Sequence, residues 1–273
     1  MIVNAGYRGK VGAAGAVASL TATSGVTYTA GLAGVSAEEV SVYAAAISNN
    51  AEITNATTVV YIDFGKIHRK VSVADQVTLS LNGVDYAFDV IGFNHDELTT
   101  PTAYGAVTAT GKAGITFQMH NLFATTYRMN SGNTNIGGWK NSEMRTVTMA
   151  TMKGYMPVAW QTAIKPVTKV SGTGGLVNTL EAVSDNCFLL SEIEIFGRTI
   201  HSISGEGTQY AYYKGGATKI KRRETAGSAG RAWWERSPYL SESAYWFGTV
   251  SSDGNAVSGN PTINQGVAFG VCV

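Results

Sequence analysis

Charge is the first scarcity in this chain. Only 14% of its residues are Asp, Glu, Lys or Arg, against roughly 25% in an average globular domain. The 20 basic and 19 acidic residues nearly cancel, leaving a formal net charge of +1. Such a balance lacks the field that draws nucleic acid or an acidic membrane surface. Proline is scarce at 5 residues while glycine reaches 32, so turns are expected from glycines at positive φ. The two cysteines, Cys187 and Cys272, are too few for a disulfide framework and lack metal-ligand spacing. Both lie in apolar, strand-like contexts: Cys187 reads as a buried free thiol, and Cys272 as part of a terminal strand. No window approaches the ~20 apolar residues of a membrane span. The opening Met1-Ile2-Val3-Asn4-Ala5-Gly6 has no basic stretch followed by an apolar one, so no signal peptide is expected.

What is present is core material: 44% of residues are hydrophobic and 10% aromatic, which excludes disorder of the low-hydrophobicity kind. Residues 1–35 are Gly, Ala, Ser and Thr with short alternating pieces, and read as an extended arm or linker. Ser36-Ala37-Glu38-Glu39 is a capping box. It opens a helix whose Val40, Tyr43, Ala44 and Ile47 fall at helical spacing, stopped by Asn49-Asn50. A lone helix of this length is marginal, so it should pack on the following domain or on copies of itself. From about residue 56 the period becomes two. Val77–Leu81 and Tyr86–Phe93 flank Asn82-Gly83, a hairpin signal. Residues 141–165 read as helical, and the remainder as short strands and glycine-rich loops, with Phe188–Ser191 and Ile193–Phe196 the clearest apolar pieces. The class is mixed α+β with long loops.

Several segments in fixed order carry a resemblance: Val77–Val84, Trp139–Arg145, Phe188–Glu192, Ala232-Trp233-Trp234-Glu235-Arg236-Ser237-Pro238, Val250–Gly254 and Gly266-Val267-Ala268-Phe269. Together they resemble a family of gut-bacterial and phage proteins with a C-type lectin-like fold, whose members carry Trp-Trp-x-Arg-Ser-Pro, a divergent stretch, a short Asp-Gly or Asn-Gly turn and a closing Gly-Val-Arg-Pro. The variable proteins of diversity-generating retroelements, including phage receptor-binding tips, look similar over this part. The resemblance spans roughly residues 75–273. It departs from the family at two places: Glu235 stands where an apolar residue is usual, and Ala268-Phe269 replaces Arg-Pro, although Val267-Ala268-Phe269 keeps the character of a strand.

The residues themselves say the following. Adjacent Trp233 and Trp234 point to opposite faces of a strand, one toward the core and the other toward a loop layer. Arg236, beside Ser237 and Pro238, can donate several fixed hydrogen bonds to loop carbonyls. On that base the stretches 239–246 and 255–264 form the expected ligand-binding face: Tyr239, Ser241, Glu242, Ser243, Tyr245, Trp246, Asn255, Ser258, Asn260 and Asn264. Rigid aromatics among small polar groups are the composition of antibody paratopes, although any surface loop uses Ser, Asn and Gly.

Catalytic constellations are weak. Formylglycine-generating enzymes share the resembled fold, but their copper-dependent cysteine motif is missing. Four histidines, His68, His95, His120 and His201, are dispersed and read as structural. Asn94-His95-Asp96-Glu97 lacks the regular carboxylates of a calcium loop and reads as a turn. Gly172-Thr173-Gly174-Gly175 is not followed by Lys-Ser/Thr. No Gly-x-Ser-x-Gly elbow is present. Lys219–Arg223 is the only basic run and reads as a solvated face. Tyr210-Ala211-Tyr212-Tyr213 suits either sugar stacking or a subunit surface.

The expectations are therefore these. The fold is α+β, C-type lectin-like (formylglycine-generating-enzyme-like), with an arm and helix at 1–55 for attachment or oligomerisation and a lectin-like domain at 56–273. By resemblance the chain is a non-catalytic phage receptor-binding protein, a tail-fibre tip or surface adhesin. It is made in the bacterial cytoplasm and displayed on the virion surface. Its partners are a bacterial surface glycan or protein, other virion proteins through residues 1–55, and its own copies, with a trimer favoured. No nucleic acid, membrane insertion, metal or cofactor is expected. The alternatives are a bacterial or prophage lectin-like module and a structural decoration protein without a receptor.

Overall fold

The computed structural model describes residues 15–99, 103–104, 107–108, 111–176, 179–223, 228–240 and 244–273. The period-two alternation of the first third gives strands directly. β1 (Ala16–Ser19) and β2 (Thr29–Ala30) precede the helix α1 (Ala37–Ser48), and β3 (Val59–Phe64) and β4 (Ile67–Ser72) follow it. These strands form one sheet in the order β1-β3-β4-β2, with β2 and β4 parallel and the other pairs antiparallel. The described part of the expected arm, residues 15–35, is thus structured rather than a linker. Its short strands add to a sheet whose register they could not reveal alone.

Helix α1 starts at the capping box: Ser36 Oγ accepts from the Glu39 amide and the Glu39 carboxylate from the Ser36 amide, both at 3.2 Å. Val40, Tyr43, Ala44 and Ile47 are all buried. Of the two packing options, the helix takes the following domain. Ser48 Oγ donates to the Lys112 carbonyl at 2.7 Å, and Asn94 Nδ2 donates to the Ile47 and Ile53 carbonyls at 2.9 Å. Gly114 makes the approach possible, because a Cβ there would stand 1.9 Å from the Ala44 carbonyl oxygen. α1 and the residues just after it are thus tied to the segment 94–114.

Next come β5 (Gln76–Leu81) and β6 (Val84–Phe93), joined at Asn82-Gly83 with both φ positive as a type I′ turn needs. The short pair β7 (Ala103–Tyr104) and β8 (Val107–Thr108) precedes β9 (Ile115–Met119). After β9 the helical region begins with α2 (Gly138–Asn141). A π-helix at Met144–Met149 then runs into α3 (Ala150–Tyr155), and α4 (Val158–Ala163) follows Pro157. β10 (Val167–Gly172) and β11 (Leu180–Asp185) form a two-stranded ribbon, and β12 (Cys187–Phe188) leads to α5 (Glu192–Phe196) and α6 (Ala211–Lys214).

The last third holds β13 (Lys221–Arg222), β14 (Gly230–Arg231), β15 (Trp233–Pro238), β16 (Phe247–Val250), β17 (Ala256–Gly259) and β18 (Gly270–Cys272). Two further sheets matter. The five-stranded one runs β12-β18-β9-β6-β5, and the three-stranded one runs β15-β16-β17. The molecule is α+β with small sheets and short helices. Among the described residues no helix is long and apolar enough to cross a membrane. Both cysteines are buried and free, and burial pushes the Cys187 thiol up to about 12.

Four local readings change. Ile193–Phe196 lies in a helix, because Ser191 and Glu194 make a second capping box that outweighs the apolar run. Tyr210, Tyr212 and Tyr213 flank or enter α6 and are buried, with their hydroxyls on Lys169, Asp89 and Gln118, so they stack on nothing external. Lys221 of the basic run is buried and donates to the Met119 and His120 carbonyls. Burial lowers its ammonium to about 8. The strand expected at Val267-Ala268-Phe269 begins only at Gly270, although all three residues are buried.

Candidate functional site

The Trp-Trp-x-Arg-Ser-Pro segment is β15, buried along its whole length. Trp233 and Trp234 are both fully buried, so neither faces an open loop layer. Trp233 Nε1 donates to the Lys219 carbonyl at 3.0 Å and Trp234 Nε1 to the Tyr127 carbonyl at 2.8 Å. Each ring thereby ties down a connecting segment on its own side.

Arg236 does what its fork predicts. It donates to the carbonyls of Leu189 at 3.0 Å, Val170 at 3.2 Å and Glu206 at 2.7 Å, and forms a two-pronged pair with Glu194. Glu194 also accepts from Lys169 Nζ, which pairs with Asp96 and lies 3.9 Å from the Phe188 ring centroid. Burial works against ionisation of Asp96, but Lys169 and His95 hold its carboxyl well below the usual range. The turn at 94–97 therefore points its carboxylate inward, to a lysine. Among the described residues no cluster of three metal-ligating side chains exists.

Three more buried polar groups brace the loops above. The Glu192 carboxylate accepts the amides of Ile200, His201 and Ser202 at 2.7–3.0 Å. Glu206 accepts from Ser171, Ser237 and the Gly172 amide. Asn135 bridges three loops: its Nδ2 donates to the Tyr239 and Trp246 carbonyls at 3.1 and 2.9 Å, its own amide to Ala244 at 2.9 Å, and its Oδ1 accepts from the Gly175 amide at 2.9 Å. Sequence reading missed Asn135. A Thr-Asn-Ile-Gly-Gly stretch before Trp139 signals only a turn, and its partners are about 40 and 100 residues away.

Glu235, the residue at odds with the resembled motif, is wholly buried, and neither of its oxygens meets a hydrogen-bond partner among the described residues. Burial, with Glu192 and Glu206 adding repulsion, pushes its carboxyl well above the ordinary range. It sits over Gly248, where a Cβ would stand 2.4 Å from Glu235 Oε2.

On this base sits an apolar, aromatic face. Tyr239 stacks on His201 with centroids 4.7 Å apart and meets Trp246 edge-on at 5.9 Å. Tyr245 and Trp246 are 50% and 42% exposed, and on the loops braced with them so are Leu240 (51%), Ile136 (66%) and Leu176 (72%). Ser241, Glu242 and Ser243 lie outside the described residues.

A family model described as a domain of unknown function (DUF6273) matches residues 113–270, more than half of the chain. The chain belongs to the DUF6273 family. No curated protein and no solved structure matches it. The DUF6273 region holds β15, Asn135, Glu192, Glu206 and the aromatic face, while β5 and β6 of the five-stranded sheet lie before it.

The ten expected face residues divide. Tyr239, Tyr245 and Trp246 come together at the Phe247 end of β16. Asn255 lies at the other end, about 10 Å away by strand rise. Its side chain closes the turn onto Asp253 at 2.9 Å. Asn260 accepts from Thr262 within its own loop, at 2.8 and 3.0 Å. Ser258 is half-buried in β17, and Asn264 lines a separate cleft of about 350 Å³ with Arg128 and Val147. The strand separates what the linear stretch 239–264 had grouped.

Proposed function

We propose that this chain is a non-catalytic receptor-binding protein of a phage particle, with a C-type lectin-like domain that docks on a bacterial surface glycan or protein. The observation that carries the reading is the exposed face of Tyr245, Trp246, Leu240, Ile136 and Leu176 on a braced base. Large apolar side chains exposed together on loops fixed from beneath are the features of an interaction surface. Their rigidity matters, because loops already held lose little entropy on binding. The resemblance carried by Trp233, Trp234, Arg236, Ser237 and Pro238 supplies the phage context, a homotrimer and display on the virion surface. Several copies on one particle convert weak single contacts into firm attachment.

The test is binding of the fluorescently labelled chain to a panel of gut bacterial strains, beside a Tyr239→Ala/Tyr245→Ala/Trp246→Ala variant checked for folding by thermal unfolding. Strain-selective binding that the folded variant loses supports adhesion through this face. Binding retained by the variant removes the face from the proposal, and a decoration role follows if no host strain is bound.

A further inference from the structure

The cleft beside Asn264 has the makings of a second site. Its walls are the segment 126–128, the loop at Asn264 and the π-helix with its continuation, and its volume is about 350 Å³. That is near the lower end of small-ligand pockets, about 300–1,000 Å³, and suits one small ring. The walls are cross-linked before any ligand arrives. Tyr127 and Gln265 exchange backbone hydrogen bonds at 3.0 Å, the Met129 amide donates to Pro261 at 2.9 Å, and the Met144 amide donates to Met129 at 3.0 Å. Arg128 Nε donates to Glu143 at 3.1 Å, and the Ser131 amide holds the same carboxylate at 2.9 Å. A π-helix is a rare departure that recurs at functional sites. Val147 within it is 60% exposed at the cleft edge.

The chemistry follows from which groups are already occupied. Glu143 is committed to Arg128 and Ser131, so guanidinium and carboxylate cancel and the cleft carries no net charge. Among the described residues no hydrogen bond engages the Asn264 side-chain amide or the Thr126 hydroxyl, and Arg128 uses only Nε. Neutral donors and acceptors around one aliphatic side chain match a ring that presents hydroxyls at its rim and C–H groups on its face. An anion would find its cation already paired, and a flat apolar ligand would leave the amide and hydroxyl unsatisfied.

We propose that this cleft binds a single neutral saccharide unit, with Asn264, Thr126 and the free guanidinium nitrogens of Arg128 on its hydroxyls and Val147 against its C–H face. The cleft shares no lining residue with the aromatic face, and the proposal does not depend on the receptor-binding reading.

Saturation-transfer NMR on the full chain tests it, with the methyl glycosides of glucose, galactose, mannose, rhamnose and N-acetylglucosamine as probes and acetate and inorganic phosphate as competitors. The expected result is transfer to at least one glycoside. Its affinity should fall about five-fold in Asn264→Ala, the loss of one or two neutral hydrogen bonds, and further in Asn264→Ala/Thr126→Val. Neither side chain makes a hydrogen bond among the described residues, so unfolding curves should match the wild type. The triple aromatic variant should bind the glycoside unchanged. Transfer to none of the five, transfer that survives the double variant, or displacement by either anion each overturns the proposal. Cell binding that persists while the glycosides fail removes the cleft and leaves the receptor reading standing. The converse pattern does the opposite.

Discussion

The two ends of this chain hold themselves together by different means. Around α1 and the strands β3–β6, alternating or helically spaced apolar residues make long ladders and a continuous core, as in the six-residue register between β3 and β4 and between β5 and β6. From β10 onward the strands are mostly short, and buried polar side chains replace the missing ladder. Arg236, Glu192, Glu194, Glu206 and Asn135 reach carbonyls and amides that have no strand partner. Long surface loops become a fixed platform only where each bare backbone group finds such a partner. The second arrangement is the one that carries the exposed face.

Removing the centre of the polar end should do most to break this contrast. Arg236→Leu leaves Glu194 buried beside only Lys169 and strips three carbonyls, and a broken buried pair costs about 3–5 kcal/mol. Denaturant unfolding measures it; a loss below about 1 kcal/mol would mean the charges merely decorate a hydrophobic core. At the apolar end, Ile47→Ala removes a fully buried side chain of α1, with an expected loss of about 2–4 kcal/mol. No loss would indicate that α1 is an appendage, as an attachment arm requires.

Glu235 sharpens the comparison because, among the described residues, it is the buried carboxyl of the polar end that no hydrogen bond satisfies. Its folded-state affinity for a proton is raised, so below the unfolded carboxyl range near 4.5 both states are protonated and no penalty arises. Above that range the unfolded chain ionises while the folded chain keeps its proton. Stability is then lost by about 1.4 kcal/mol per pH unit until the folded carboxyl itself ionises. Glu235→Gln should therefore gain on the wild type as pH rises from 5 to 7 in thermal scans. Parallel curves for the two proteins would show that Glu235 is ionised and paired.

The smallest effect is expected at Asn135→Ala, about 1–2 kcal/mol, read best locally. Amide hydrogen exchange at residues 239–246 should speed up while that of β5 and β6 stays unchanged. Equal exchange in both regions would separate the brace from the face it supports.

How much was legible follows the same division. The capping box at Ser36, the Asn82-Gly83 hairpin and the alternation of β5 can be read locally, because each element is specified within a dozen residues. The second capping box at Ser191 was equally local, yet the apolar Ile193–Phe196 run masked it. The role of Arg236 was foreseeable from its fork geometry, although which carbonyls it reaches was not. Tyr239, Tyr245 and Trp246 stood out as large aromatics in a polar stretch, whereas grouping them with Asn255 ignored the strand between them.

By itself, then, the sequence determined the α+β class, the α1 boundaries, the main hairpin and the buried state of the Cys187 thiol, all consequences of short-range periodicity and composition. Only the tertiary structure decided that residues 15–48 join the core, that Asn135 braces three loops, that Glu235 has no hydrogen-bond partner among the described residues and that Asn264 belongs to a different cleft from Trp246. Those facts rest on contacts between residues dozens to more than a hundred positions apart. Local propensity carries no term for such separations, and only packing the whole chain sets them.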